Sequence, residues 1–475
     1  MIIAIIGGGI SGCTAYLLLK KHLPRPLSAE DHSITIYEAY DTDKDTTFSE
    51  RGQGPTHSST LLVGGGLGVG ANGLNVLKRL DEDLLRDIVR GGYVVGTMNM
   101  KSKNGTVLVR AQPSGDPSSG HGEPRNMHMV SSSRHALWRC LRVRIPDGDI
   151  VTKRVAQVVA KPDGRNVVTF ADGSPSVEAD LVIGADGLKS SAKRALFPEA
   201  EEDPFPPHYE GLAGVGGFIP AADVRGHVEK GSMNFVFGGN GFFGYFFSES
   251  AESSPHRDSP YHVAEPGDSL AWWSTYTADE CPTPGTLDRN AVTRQLRERH
   301  RNWKDPVIQK VLQQLQVDNM YPTWTVPPLP TWERDGVVLV GDAAHALPPT
   351  SGQGSSQALE DVEALALFLG PRLRKAYREH ETDTMSLKQA IKTAAKQYTE
   401  LRLPRVAMIL ADAQRTQNTK RDKGLAEEYL MYALMWVLGC FPSVMAKKLN
   451  AASAYNVAEQ VERVLAKDDG CAGSS

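Results

Sequence analysis

The chain has 475 residues, 40% apolar and 23% charged, with a formal net charge of -4. That length exceeds one ordinary core and predicts two or three domains, while the near-neutral balance gives no reason to propose nucleic acid as a partner. The five cysteines (Cys13, Cys140, Cys281, Cys440 and Cys471) form no C-x-x-C pair, which argues against a disulfide framework or a zinc site and for a reducing, cytoplasmic compartment.

The chain opens on an apolar run over residues 2–6, too short for a secretory signal core. Gly7-x-Gly9-x-x-Gly12 follows, then a helix over 15–21 and a strand over 33–37 ending at Glu38. This order predicts a βαβ unit that binds a dinucleotide at its first turn. Gly7 permits the tight turn, Gly9 lets a pyrophosphate reach the backbone, and Gly12 lets the helix pack on the strand. Glu38 is placed to accept from ribose hydroxyls. With no adjacent Arg it disfavours a 2′-phosphate, so FAD or NAD fits better than NADP. The same hexapeptide pattern recurs at 239–244 and, ending in Ala, at 66–71. Neither copy opens a helix with an acid at the next strand end, and the copy at Gly239, between two aromatic runs, predicts a hairpin turn.

A polar stretch to residue 60 precedes a glycine-rich run over 64–73 and a helix over 74–80. Residues 111–126 read as an exposed loop. A helix begins near Ser133, with Arg134 in its first turn, and 155–170 reads as a hairpin turning at Pro162-Asp163-Gly164. A strand then delivers Asp186 and Gly187. The middle third carries aromatic strands over 233–237, 242–247 and 270–276. Phe235, Phe237, Tyr245, Phe247 and Trp273 are the candidate wall for an aromatic or polycyclic substrate. Residues 337–340 form a strand leading to Gly341 and Asp342. A stiff loop with Pro348 follows, then Gly352, Gly354 and a helix over 355–369. An acid, an open loop and the exposed N–H groups of a helix start suit a phosphorylated cofactor. Further helices are predicted over 386–400, 406–420 and 426–438, and a disordered tail over 467–475. Residues 429–446 carry no formal charge but are interrupted by Pro442 and Ser443. They read as a buried or surface-docking helix in preference to a membrane contact.

Taken together, Gly7-x-Gly9-x-x-Gly12 with Glu38, Gly184-Ala185-Asp186-Gly187, and Gly341-Asp342 through Gly354 resemble the single-component FAD-dependent aromatic hydroxylases. These are the flavoprotein monooxygenases with the p-hydroxybenzoate hydroxylase fold. The run over 64–73 with Asn72, and Ser133-Arg134-x-x-Leu137, fit the same family. The resemblance implies an α/β, Rossmann-like FAD-binding domain (1–203 and 331–380) with an inserted antiparallel β-sheet substrate domain (204–330) and C-terminal helices (381–466). By position, Gly7, Gly9, Gly12 and Glu38 would hold the ADP half of FAD. Arg134 would approach the pyrophosphate or flavin side, and Asp186 and Gly187 lie in a motif linked to FAD and nicotinamide. Asp342 would bind the ribityl chain. Gly65, Pro348, Gly352, Gly354 and Ser355 would pass close to the isoalloxazine.

The implied activity is monooxygenation with NADPH or NADH as transient co-substrate and O2, through a flavin hydroperoxide. Its substrate is small, hydrophobic and secondary-metabolite-like, and is hydroxylated or epoxidised. Two departures stand out. Lys193 occupies the place of a family arginine and lacks its forked geometry, and Arg51 is an insecure equivalent of the family's early arginine. No catalytic base has a spacing argument, although His57, His128, His208 and Tyr245 are conceivable. His345 reads as a packing or backbone-fixing residue. An FAD oxidase or dehydrogenase on the same scaffold is the alternative. A halogenase is disfavoured because Trp324-Thr325-Val326-Pro327 lacks the first tryptophan of that family's motif.

Overall fold

The structure is a computed structural model that describes residues 1–26, 31–41, 66–112, 127–282, 288–315, 317, 320–379, 384–417, 420–441 and 451–472. Its first unit is β1 (Ile2–Ile6), α1 (Ile10–His22) and β2 (Ser33–Glu38). β3 (Gly66–Val69), α2 (Ala71–Leu80), α3 (Glu82–Arg90), β4 (Gly92–Val95), β5 (Thr97–Ser102), β6 (Val107–Ala111) and β7 (Met129–Ser133) follow. α4 (Arg134–Arg142) leads to β8 (Ile150–Thr152), β9 (Val155–Val159), β10 (Asn166–Phe170), β11 (Val177–Ala179) and β12 (Leu181–Gly184). The middle third supplies β13 (His208–Pro220), β14 (Ser232–Gly238), β15 (Gly241–Phe247), β16 (Ser269–Thr277), α5 (Arg289–His300), α6 (Pro306–Gln314) and β17 (Met320–Thr325). β18 (Glu333–Arg334), β19 (Val337–Leu339), α7 (Asp342–His345), α8 (Gly354–Glu379), α9 (Thr384–Gln417), α10 (Leu425–Gly439) and α11 (Val457–Ala472) complete the chain.

The first sheet runs β18-β19-β12-β1-β2-β8, parallel except at β18. Parallel strands must be covered on both faces, so β1, β12 and β19 are unbroken apolar runs inside the largest core cluster. From β1 the chain passes to β2 on one side and later to β12 on the other. That makes the end of β1 a topological switch point, where open α/β sheets bind ligands.

The second sheet runs β17-β13-β16-β15-β14-β5-β6. Here the structure corrects the expectation of an antiparallel insertion confined to 204–330. β5 and β6, from the first part of the chain, belong to this sheet, and β5 pairs with β14 in parallel. The pairing is supported inside the sheet by Asn99, which donates to the Asn234 side chain at 3.3 Å. The hairpin expected at Gly239 is present as β14–β15, and that expected over 155–170 as β9–β10.

Two further expectations fail at the C-terminal end. The break predicted between 400 and 406 is absent, because α9 continues through Pro404. Arg402 and Arg405, on either side of the proline, are both anchored to Glu360 and hold the helix across the missing hydrogen bond. The tail expected to be disordered from 467 is helical to Ala472, with Asp468 tied to Arg372 and Gln397. α10 lies on the surface, with Tyr429, Leu430, Leu434, Trp436 and Val437 exposed. No described helix is long and apolar enough to cross a membrane.

Candidate active site

The three motif-bearing strands end side by side. Ile6 pairs with Gly184, and Gly184 with Leu339, so Gly7, Ala185 and Val340-Gly341 leave the sheet from adjacent positions. Glycine is required where they meet. Gly7 has φ +97, and a Cβ there would lie 2.5 Å from the Ala185 carbonyl oxygen. At Gly12 a Cβ would lie 1.9 Å from the Gly7 carbonyl oxygen, and at Gly341 2.4 Å from Ser11 Oγ. The motifs, far apart in sequence, are therefore packed against one another.

Around this junction the polar groups are aimed rather than loose. Glu38 is 8% exposed, and its carboxylate accepts from the Gly8 N–H at 2.6 Å and the Tyr40 N–H at 3.1 Å. Burial raises its pKa and these N–H groups oppose the rise. Trp138 donates to the Gly8 carbonyl at 2.8 Å, fixing α4 against the loop. Ser133 caps α4 by accepting from the Ala136 N–H, and Arg134 beside it is exposed. Asp342 heads α7, exposed, with no partner among the described residues. A Cβ at Gly352 or Gly354 would meet nothing within 4 Å, so the start of α8 borders open space. Pro348 is buried beneath that loop. Ser355 donates to the Gly68 carbonyl at 2.9 Å and Ser356 accepts from the Gly70 N–H at 3.0 Å, joining α8 to β3. Gly65, Arg51 and His57 lie outside the described residues.

The Asp186 carboxylate turns back on its own loop, accepting from Ser190, Ser191 and the Ala192 N–H. Gly187 (φ +71) stands beside open space. Lys193 is 2% exposed, paired with Asp203 at 2.6 Å and donating to the Phe205 carbonyl. Its amine is committed to the interior, which explains why a lysine serves there.

Beneath the loop that follows Asp342 lies a buried charge network that the sequence reading missed. Glu360, Asp361 and Arg402 are all 0% exposed. Arg402 donates to both carboxylates, and Arg405 makes two bonds of 2.8 Å to Glu360. Asn72 donates to Glu360 at 2.6 Å and to Gln353 at 3.0 Å. Asp361 accepts from the Gly341 N–H at 3.0 Å and meets His345 Nε2 at 2.5 Å. Burial pushes the Asp361 carboxyl up, but His345 and Arg402 outweigh it and hold it below its ordinary value. His345 is therefore the fixing residue expected, and the network ties α2, α8 and α9 to the Gly341 turn. Its sequence signal was the adjacent acids Glu360 and Asp361 among apolar residues of α8 and two arginines three residues apart in α9.

The aromatic candidates divide between two faces. Phe235 and Trp273 sit half-buried, with Phe237 alongside, on the face turned toward β3. Trp273 lies flat across Gly244, where a Cβ would approach its ring to 2.3 Å. Phe246 on the same face reaches Gly66, whose Cβ would lie 2.7 Å from the ring tip. Tyr245 and Phe247 point the opposite way, into the core beneath α5 and α6, because strand side chains alternate. Tyr245 there accepts from Lys101 at 2.7 Å and donates to Asp305 at 3.0 Å. That removes both from the wall, and Tyr245 from the conceivable bases. His208 is exposed at the start of β13 and His128 is half-buried.

The sequence profile of the FAD binding domain family matches residues 269–396. The chain is 27% identical over 439 residues to 3-amino-4-hydroxybenzoate 2-monooxygenase of Streptomyces cremeus, covering 90% of this chain and 87% of that protein. It is 26% identical to the chloroplastic zeaxanthin epoxidase of Spinacia oleracea over 79% of this chain, spanning 48% of that longer protein. Among solved structures, Klebsiella pneumoniae HpxO complexed with FAD and uric acid shares the fold, with a TM-score of 0.68 at 20% identity. That match covers 96% of this chain and 97% of that one.

Proposed function

We propose that the chain is a single-component FAD-dependent monooxygenase of the p-hydroxybenzoate hydroxylase fold, that the three adjoining strand ends hold FAD, and that the aromatic face of the large sheet receives a small, flat substrate. The observation that carries this reading is the register of Ile6, Gly184 and Leu339, which brings three glycine motifs to one edge.

The residues present fit the cofactor. Gly7, Gly9 and Gly12 leave a backbone surface without Cβ atoms, open to a pyrophosphate. Glu38 keeps lone pairs for ribose hydroxyls. Asp342 offers a free carboxylate to the ribityl chain, and Arg134 offers positive charge. The N–H groups at the start of α8, around Gly352 and Gly354, face open space and favour an electron-rich ring edge. FAD supplies the reduction of O2 by NADH or NADPH and the transfer of one oxygen atom to substrate, as hydroxylation or epoxidation, with the second atom leaving as water.

The protein's part is to bind, orient and exclude water. Phe235, Phe237 and Trp273 provide an apolar surface for an aromatic or polycyclic ring. Phe246 closes that surface against Gly66, so substrate and the cofactor edge share a dry space. The aminohydroxybenzoate in one relative's name and the uric acid complexed with HpxO support a small, flat ring compound here. The free thiols Cys13, Cys140, Cys281 and Cys440 support a cytoplasmic location. The test is anaerobic reduction of the bound flavin by NADH or NADPH across a panel of phenols, indoles and polycyclic compounds. The expected result is a large acceleration by one class and an oxygenated product once air is admitted.

A further inference from the structure

Three residues beyond α9, Lys420 is buried against the aromatic face of the large sheet. It is 7% exposed, and its amine stands 4.0 Å from the centre of the Phe242 ring. It has no hydrogen-bond or ion-pair partner among the described residues. Asp422 and Glu428, close to it in sequence, are committed to Arg299 and to Lys103 and Tyr432, and Glu210 is committed to Thr325 and Gln417. An unpaired ammonium in such surroundings is costly, and burial lowers this amine to about 7.

The position links the two halves of the site. Phe242 lies 5.8 Å from Trp273 and 6.1 Å from Phe235, ring centre to ring centre. On the other side, the Thr350 hydroxyl donates to the Ala413 carbonyl at 3.1 Å. The segment that carries Lys420 therefore runs from the proline loop to the aromatic wall. The ring of Phe242 holds the cation when no anion is near, and low polarity magnifies the gain when one arrives.

We propose that Lys420 recognises an anionic oxygen of the substrate, so that this enzyme acts on aromatic compounds bearing a carboxylate or a phenolate. The inference rests on the monooxygenase reading for the chemistry after binding, but its test needs no turnover. Equilibrium binding to the FAD-loaded protein is read from flavin absorbance without nicotinamide, comparing 2-naphthoate with 2-naphthamide and 2-naphthol with 2-methoxynaphthalene. In the wild type the acidic member of at least one pair binds more tightly. Lys420→Met weakens that member by at least about tenfold and leaves its neutral counterpart within about twofold. An effect on naphthoate assigns a carboxylate, and one on naphthol a phenolate. Lys420→Met also melts no lower than wild type, since it removes an unpaired buried charge. Acids that bind no better than neutral partners, or not at all, overturn the assignment, as does equal weakening of both by Lys420→Met. Failure of every compound to stimulate flavin reduction would sink the monooxygenase reading instead and leave the binding result standing.

Discussion

Replacing Arg402 by Met tests whether the buried network supports the cofactor edge. The substitution keeps most of the side-chain volume and removes one charge, leaving Glu360 and Asp361 at 0% exposure with one cationic partner fewer. Breaking a buried pair by deleting one partner costs about 3–5 kcal/mol. Glu360 keeps Arg405 and Asn72, and Asp361 keeps His345 and the Gly341 N–H, so the lower end, about 3 kcal/mol, is expected. The assay is urea unfolding read as a midpoint shift at constant slope, with FAD retention measured in parallel. Because Asp361 holds the Gly341 turn, FAD affinity should fall with stability. Pairing Arg402→Met with Asp361→Asn should show a coupling of about 1–3 kcal/mol. A shift below about 1 kcal/mol with normal FAD retention would refute the reasoning.

The geometry carries four other expectations. Gly354→Ala meets nothing within 4 Å and should fold normally, yet weaken FAD binding about tenfold by titration if the loop abuts the ring. Trp273→Ala should raise the KM for an aromatic substrate without unfolding the protein. Tyr245→Phe should leave KM unchanged and cost about 1–2 kcal/mol in urea, by removing the hydroxyl that bonds both Lys101 and Asp305 and leaving that buried pair only its own 3.7 Å contact. His300 is buried, and burial lowers its pKa from 6.5 to about 3, so the unfolded chain takes up its proton first as pH falls. Its contribution is intact above pH 6.5 and lost toward pH 3, at most roughly 4–5 kcal/mol, and His300→Gln should flatten that limb of the stability curve.

The glycine-bearing strand edge was legible because its constraints are local. Gly7, Gly12 and Gly341 are glycines for reasons of backbone clearance, and each sits beside a short apolar strand that period and composition reveal. What escaped the sequence depends on which strands become neighbours. β5 pairs across more than a hundred residues with β14 and carries β6 with it into the middle sheet, and no periodicity encodes that. The five aromatic candidates were chosen for density, yet alternation along β15 sends Tyr245 and Phe247 to the far face. Only the partner helices α5 and α6 decide which parity is core. Pro404 read as a helix break because the Arg402–Glu360–Arg405 network that carries α9 through it is entirely tertiary. Nothing in the sequence marks Lys420 among the chain's other lysines, because its burial against Phe242 is a tertiary contact.

The central claim is that the strand-edge site binds FAD and couples nicotinamide oxidation to oxygenation of a small aromatic substrate. Its most direct test uses FAD-loaded protein mixed anaerobically with NADH or NADPH. Flavin bleaching is followed with and without each panel compound, and the products are weighed after addition of 18O-labelled O2. The account predicts that one aromatic class speeds bleaching by at least about tenfold, a loss of at least about 1.4 kcal/mol from the barrier, and gains one labelled oxygen atom. Flavin that neither nicotinamide reduces, but that a panel compound reduces directly without gaining oxygen, would contradict it.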